Sequence, residues 1–215
     1  MIYLIGSGAK FQGVETLVLN EIKFNEFSVN LADFSALVIT SKNAVEAMRF
    51  NRISPNKNLK IFAIGEASAR AAREFGFCEI YVSQNAHGDA FAREISGMLA
   101  GKKTLFLRAS KTASSAAEIL RDAGADLTQI VAYENVYKPD TNLLKPPKGS
   151  VLIFTAPSAV RNFARNFSWQ TSNPERYKCV AIGETTAKEL AKFCEPVVCA
   201  EQSANACVSL AKTLI

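Results

Sequence analysis

The sequence predicts an α/β fold with parallel sheets and an internal duplication. Two observations carry this. Short apolar runs alternate with amphipathic ones along all 215 residues. One strand-turn-helix segment also occurs twice, as FAIGEASA at 62–69 and VAIGETTAKEL at 180–190. Short apolar strands alternating with helices are the pattern of parallel sheets covered on both faces.

The strands expected in order are 2–5, 37–40, 60–64, 79–82, 104–107, 127–133, 151–155, 179–182 and 197–199. The helices expected between them are 42–50, 66–76, 88–101, 114–124, 156–167, 185–193 and 205–214, each with apolar residues at 3.6-type spacing. Gly76, Gly101 and Gly124 stand where a helix C-terminus favours glycine. Segment 132–150 carries Pro139, Pro146 and Pro147 and reads as an exposed interdomain connection. A weaker break falls at 21–34.

The duplication extends beyond the first pair. VITSKNAV at 38–45 matches IFTAPSAV at 153–160, setting Thr40 against Thr155 and Ala44 against Ala159. Gly65 then meets Gly183, and Ser68 meets Thr186. A fainter echo sets MIYLIG and a following short helix against KKTLFLRAS and its helix, so the repeats read as tandem units near 1–102 and 103–215.

Composition narrows the function. The chain has no run of about 18 apolar residues, so no membrane span is expected. The N-terminus lacks a basic region before its short apolar run, and a signal peptide is not expected. Five cysteines, an odd count with no CxxC, point to reduced thiols in the cytoplasm. One histidine cannot build a His-based metal site, so no metal centre is expected. His87, near a helix start, reads as a surface residue. A net charge of +5 favours an anionic partner. The basic residues are scattered, without an RNP-like pattern, which argues against nucleic acid. GSGAKF at 6–11 is half of a dinucleotide fingerprint, and P-loop, GxSxG and Ser-His-Asp signatures are missing.

What remains is the repeated turn. Thr40, Ser41 and Asn43, with Thr155 and Ser158 in the second half, follow strands and open helices. Gly65 with Ser68, and Gly183 with Thr185 and Thr186, do the same. Helix N-termini at the carboxyl ends of parallel strands offer free N–H groups and partial positive charge to carboxylate or phosphate. The competing reading is that these residues only cap helices. By analogy with Ser68, Thr186 is the expected cap and Thr185 the expected ligand contact.

The chain resembles the uroporphyrinogen-III synthase family. The resemblance rests on VITSKNAVEAM, AIGEASARAAREFGF, FTAPSAVRNF, AIGETTAKEL and FLRASKTASSAAEILRDAGADLTQIVAYENV, in order from about residue 36 to 215. The first 35 residues depart from the family, lacking its longer first helix, and Ala109 follows Arg108 where glycine is usual. The resemblance implies two small flavodoxin- or Rossmann-like domains joined by a two-strand connection. One is 1–24 plus 138–215, the other 25–137, with an active-site cleft between them. It implies a cytoplasmic, monomeric lyase of heme biosynthesis that needs no cofactor. The substrate would be hydroxymethylbilane, with eight carboxylates, closed to uroporphyrinogen III with loss of water and inversion of ring D. Lys42, Arg108 and Lys111 would stand near the carboxylate arms, and Tyr133 would assist departure of the hydroxyl. The preceding bilane-forming enzyme is a partner the same resemblance suggests. A two-domain α/β protein that binds a polyanion without converting it is the alternative, and turnover discriminates the two.

Overall fold

The computed structural model describes residues 1–6, 8–85, 87–112, 114–171 and 175–215. The chain runs β1 (Ile2–Ile5), β2 (Val14–Leu17), β3 (Asn20–Phe24), β4 (Ala36–Ile39), α1 (Lys42–Phe50), β5 (Lys60–Ala63), α2 (Glu66–Phe75), β6 (Ile80–Val82), α3 (Gly88–Leu99) and β7 (Lys103–Ala109). It continues through α4 (Ala116–Asp122), β8 (Asp126–Tyr137), β9 (Val151–Phe154), α5 (Pro157–Phe167), β10 (Lys178–Ala181), α6 (Glu184–Leu190), β11 (Val197–Val198) and α7 (Ala204–Lys212). A single 3-10 turn, Leu31–Asp33, precedes β4.

Two compact units result, residues 1–21 with 136–215, and residues 22–135. The chain passes from one to the other within β3 and at the end of β8, rather than at the expected 24/25 and 137/138.

The inserted unit carries a six-stranded sheet in the order β3-β8-β7-β4-β5-β6. From β8 through β7, β4 and β5 to β6 the strands pair in parallel. Its side chains alternate as the pleat requires. Leu37, Ile39, Ile61 and Ala63 join the core under α1 and α2, with Val45, Met48 and Ala72. Ala36, Val38 and Phe62 point the other way, against Phe91, Ile95 and Leu99 of α3 and Leu120 of α4.

The discontinuous unit carries a parallel sheet in the order β11-β10-β9-β1-β2. Tyr3, Ile5, Leu152 and Phe154 pack with Val160 and Phe163 of α5 and Leu190 of α6. Ile2, Leu4, Val151 and Ile153 pack with Cys207, Val208 and Ala211 of α7.

The two sheets repeat one topology. The order β8-β7-β4-β5-β6 is matched by β2-β1-β9-β10-β11. The repeat is therefore permuted, not the tandem arrangement expected near 1–102 and 103–215. β1 and β2 come first in the chain but occupy the places that β7 and β8 fill in the other unit.

The short helix expected after β1 is also absent among the described residues. Eight residues separate β1 from parallel β2, where such connections ordinarily need a dozen or more. Gly6 and Gly13 allow it with φ of +94° and +74°, in the left-handed region that favours glycine. The Thr16 hydroxyl donates to the Ala9 carbonyl at 2.9 Å, and Phe11 packs on the core face that α7 covers. In 132–150, expected to be an exposed connection, residues up to Tyr137 are strand.

Candidate active site

Strand register sets the site. Ile39 lies beside Ala63 and Leu107, and Ala63 beside Val82, so these strands reach their carboxyl ends together. Thr40, Ile64 and Arg108 follow at that line. In the discontinuous unit Ile5, Leu17, Phe154 and Ala181 are level in the same way, and Gly6, Thr155 and Ile182 follow. The ladders continue into the turns. Ile64 N–H donates to Ile39 at 3.2 Å, and Ile182 N–H to Phe154 at 3.1 Å.

The first turn of each unit opens a helix differently. Ser41 is the N-cap of α1, its Oγ accepting from Asn43 N–H at 3.2 Å. Lys42 is exposed and Asn43 half-buried. In the other unit Ala156 takes the capping position without a side-chain bond, and Pro157 opens the helix, with Ser158 half-buried behind it. Proline suits this position because its missing N–H would have had no intrahelical partner. Thr155 Oγ1 donates to the Ile5 carbonyl at 3.1 Å, so its hydrogen is already committed.

The second turns correspond closely. Gly65 and Gly183 are N-caps of α2 and α6, extended at φ 174° and −177°. The N–H groups of Ser68 and Thr186 return to these glycines' carbonyls at 3.1 and 3.0 Å. This corrects the expected cap. Neither Ser68 nor Thr186 caps through its side chain, because each sits inside the first turn, three residues beyond the capping glycine. Both are buried, at 4% and 3% exposure, and offer a ligand little surface, whereas Thr185 is exposed.

Arg108 lies in β7, where the β7–β8 register slips between Arg108 and Ala109. Its Nε donates to Gln129 Oε1 at 2.8 Å and Nη1 to the Ala109 carbonyl at 2.9 Å. The guanidinium is thus held by its own unit. A polar cavity of about 90 Å³ adjoins it, lined by Thr112, Ser114, Glu118 and Gln129 among others. Lys111 is exposed just beyond the strand.

Tyr133 is 5% exposed in β8 and belongs to the core under α1. Burial raises its phenol above the ordinary value of 10, while a hydrogen bond with the Ser41 side chain pulls the other way. Tyr133 packs in that core, and its hydroxyl meets the helix-capping Ser41. His87 is exposed at the N-cap of α3.

Sequence reasoning passed over three residues that shape these turns. A Cβ on Gly6 would lie 2.5 Å from Ala159 Cβ and 2.9 Å from Thr155 Oγ1, so Gly6 lets β1 lie against the start of α5. The signal was the half-fingerprint GSG. Gln129 anchors Arg108, and Gln202 lies where a Cβ on Gly183 would approach its Nε2 to 3.1 Å. No sequence pattern marked either.

Comparison with known proteins gives the family. The family model described as uroporphyrinogen-III synthase HemD matches residues 10–209. The chain belongs to the uroporphyrinogen-III synthase family. A crystal structure of uroporphyrinogen-III synthetase from Helicobacter pylori is similar at 31% identity and TM-score 0.83, over 100% of this chain and 99% of that one. A mutant uroporphyrinogen III synthase from the extremely thermophilic bacterium Thermus thermophilus shares the fold at 12% identity and TM-score 0.55, covering 99% and 96% of the two chains. No curated protein matches. As a member of a uroporphyrinogen-III synthase family the protein is an enzyme, with an α/β fold of two parallel-sheet units. Among the described residues no cluster of His, Cys, Asp and Glu could hold a metal, and no helix is long and apolar enough to cross a membrane.

Proposed function

We propose that this enzyme of heme biosynthesis is a lyase that closes hydroxymethylbilane to uroporphyrinogen III. It expels the terminal hydroxyl as water and inverts ring D. The observation that carries the reading is the family match over residues 10–209, on a chain whose two sheets repeat the same helix-opening turns.

The turns suit a polycarboxylate. The first N–H groups of a helix lack intrahelical partners and carry partial positive charge. Both units present such groups at the carboxyl ends of their strands. In our reading the bilane's carboxylates are shared among them, with hydroxyls from Thr40, Ser158 and Thr185, and Lys42, Arg108 and Lys111 supplying charge, while the Thr155 and Ser41 hydroxyls hold Ile5 and Tyr133 in place. Gly65 and Gly183 bring backbone close to the ligand, and Ser68 and Thr186 support those turns from inside.

Much of the catalysis is then conformational. Holding both ends of the bilane restricts which pyrrole carbon reaches the exposed methylene once the hydroxyl leaves. Tyr133 donates a hydrogen bond to that hydroxyl. A phenol whose pKa is raised by burial stays protonated at neutral pH and keeps its proton to donate. Ser41 orients it. We place the enzyme in the cytoplasm as a monomer, receiving its substrate from the bilane-forming enzyme and binding no nucleic acid.

Affinity for a linear polycarboxylate tests the grip. It should fall as salt rises, because exposed cation–carboxylate contacts are screened beyond about 8–10 Å. The esterified bilane should bind far more weakly than the acid. Equal affinity for acid and ester would remove the anion-binding reading of the turns.

A further inference from the structure

The two second turns match in backbone and differ in what lies over them. Gly65 and Gly183 are both extended, at φ 174° and −177°, a conformation open to any residue. Neither turn needs glycine for its backbone. A Cβ on Gly65 would meet nothing within 4 Å. A Cβ on Gly183 would meet Gln202, with Nε2 at 3.1 Å, Cδ at 3.2 Å and Cγ at 3.5 Å. The space that a side chain at 183 would fill is taken by Gln202, and Gly183 is buried where Gly65 is half-buried.

Its own unit places Gln202 there. Val198 is level with Ala181, and Cys199 N–H donates to the Ala181 carbonyl at 2.9 Å. The chain therefore leaves β11 at the same carboxyl edge that carries Gly183. Ser203 then caps α7, its Oγ accepting from Ala206 N–H at 3.2 Å, and its own N–H donates to the Glu201 carbonyl at 2.7 Å. Gln202 stands between these two anchored positions. Its side chain is exposed, and its amide has no hydrogen-bond partner among the described residues.

We propose that Gln202 is a substrate-recognition residue, its side-chain amide lying over Gly183 to donate to a carboxylate of the bilane. The inference rests on the function proposed above and adds a residue to the binding set. A primary amide carries two N–H donors and no charge. Its contact with a carboxylate is therefore a directed hydrogen bond, unlike the contacts of Lys42 and Lys111. The glycine at 183 has its reason in this contact, because a side chain there would push the amide off the turn. The two turns are then unequal. At Gly65 a ligand meets the backbone turn alone, and at Gly183 it meets the Gln202 amide as well, beside the exposed Thr185.

The test reads binding apart from turnover. Equilibrium dialysis of the full chain against uroporphyrin III, a macrocycle that keeps the bilane's carboxylates, gives Kd for the wild type, Gln202→Ala and Gln202→Glu. Gln202→Ala should raise Kd about tenfold, the size expected of one hydrogen bond to a charged group. Gln202→Glu should raise it further, because it sets a carboxylate against carboxylates, and the gap between the two variants should narrow as salt rises. Melting should stay unchanged in both, since the side chain is exposed. In turnover of hydroxymethylbilane, Gln202→Ala should raise KM and leave kcat. An unchanged Kd in Gln202→Glu, equal weakening by the two variants, or no binding of the porphyrin by the wild type would each overturn the proposal. Weakened binding in the expected order, with no type III product from the wild type, would keep Gln202 as a recognition residue and remove the assigned reaction instead.

Discussion

The Ser41 hydroxyl serves two neighbours at once. It accepts from Asn43 N–H at 3.2 Å as the N-cap of α1, and it meets the phenol of Tyr133 on β8. The start of α1 and strand β8 of one unit are thereby tied through a single oxygen, level with the end of β7.

Removing the phenol should separate packing from chemistry. Tyr133→Phe keeps the ring in the core but loses the bond to Ser41, a change of about 0.5–1.5 kcal/mol in stability. A positioned general acid typically contributes about 10²–10⁴-fold, and we expect about tenfold here because the bilane's pyrrole nitrogen also drives the hydroxyl out. Turnover and product isomer should be measured together. Unchanged turnover in Tyr133→Phe with lost turnover in Tyr133→Ala would make Tyr133 a packing residue only.

Thr185 and Thr186 should answer differently to the same change. Thr186 is buried and caps nothing, so Thr186→Val keeps its volume and should leave the Michaelis constant unchanged. Thr185 is exposed in the first turn of α6. Thr185→Val should weaken binding by roughly 1.5–3 kcal/mol if its hydroxyl meets a charged carboxylate, with no change in melting. Melting curves and Michaelis constants for both variants check this. An unchanged Michaelis constant in Thr185→Val would make the turn structural.

Of the glycines in the short crossover, Gly6 has the least room for a side chain. Gly6→Ala meets both a positive φ and a 2.5 Å approach to Ala159, and overpacking of this kind costs about 1–3 kcal/mol. Gly65→Ala meets nothing within 4 Å and an extended backbone, so its melting should stay close to the wild type. Thermal denaturation of the two variants side by side decides it.

Much of this fold was legible in the sequence, because the helices advertise themselves. KNAVEAMRF buries Ala44, Val45, Ala47 and Met48 at helical spacing, and Ser41 marks its start. The strands β2 and β3 were not legible. Each mixes charged residues with apolar ones at a sheet edge, VETL burying only Leu17 and NEIKF none of its residues. The permutation was hidden for a related reason, since β1 and β2 take the places of β7 and β8 only through pairing with β9. At the site, the glycine turns were readable as repeats. The identity of the capping residue was not, because hydroxyl side chains are frequent both at caps and one turn inside them.

Acid should loosen the inserted unit at one identifiable point. Glu94 of α3 accepts from Ser83 at 2.7 Å, Asn85 at 2.6 Å and Tyr81 at 2.8 Å. These bonds, led by Ser83, hold its carboxyl at about 2, below the ordinary 4.5. A depressed carboxylate contributes stability above its unfolded value and loses it as pH falls through its folded value. The contribution is therefore whole above about pH 4.5 and fades toward about pH 2. Glu94→Gln should melt lower at neutral pH and lose less on acidification than the wild type. Parallel melting curves for the two proteins across that window would contradict the assignment.

The central claim is that the chain directs ring closure rather than merely holding the bilane. The most direct measurement adds hydroxymethylbilane to the purified protein, oxidises the product and resolves the uroporphyrin isomers against an enzyme-free background. Closure without enzyme gives the unflipped isomer. The account predicts the type III isomer in excess, formed faster than the background reaction. Bilane bound but unconverted, or type I product at the background rate, would contradict it.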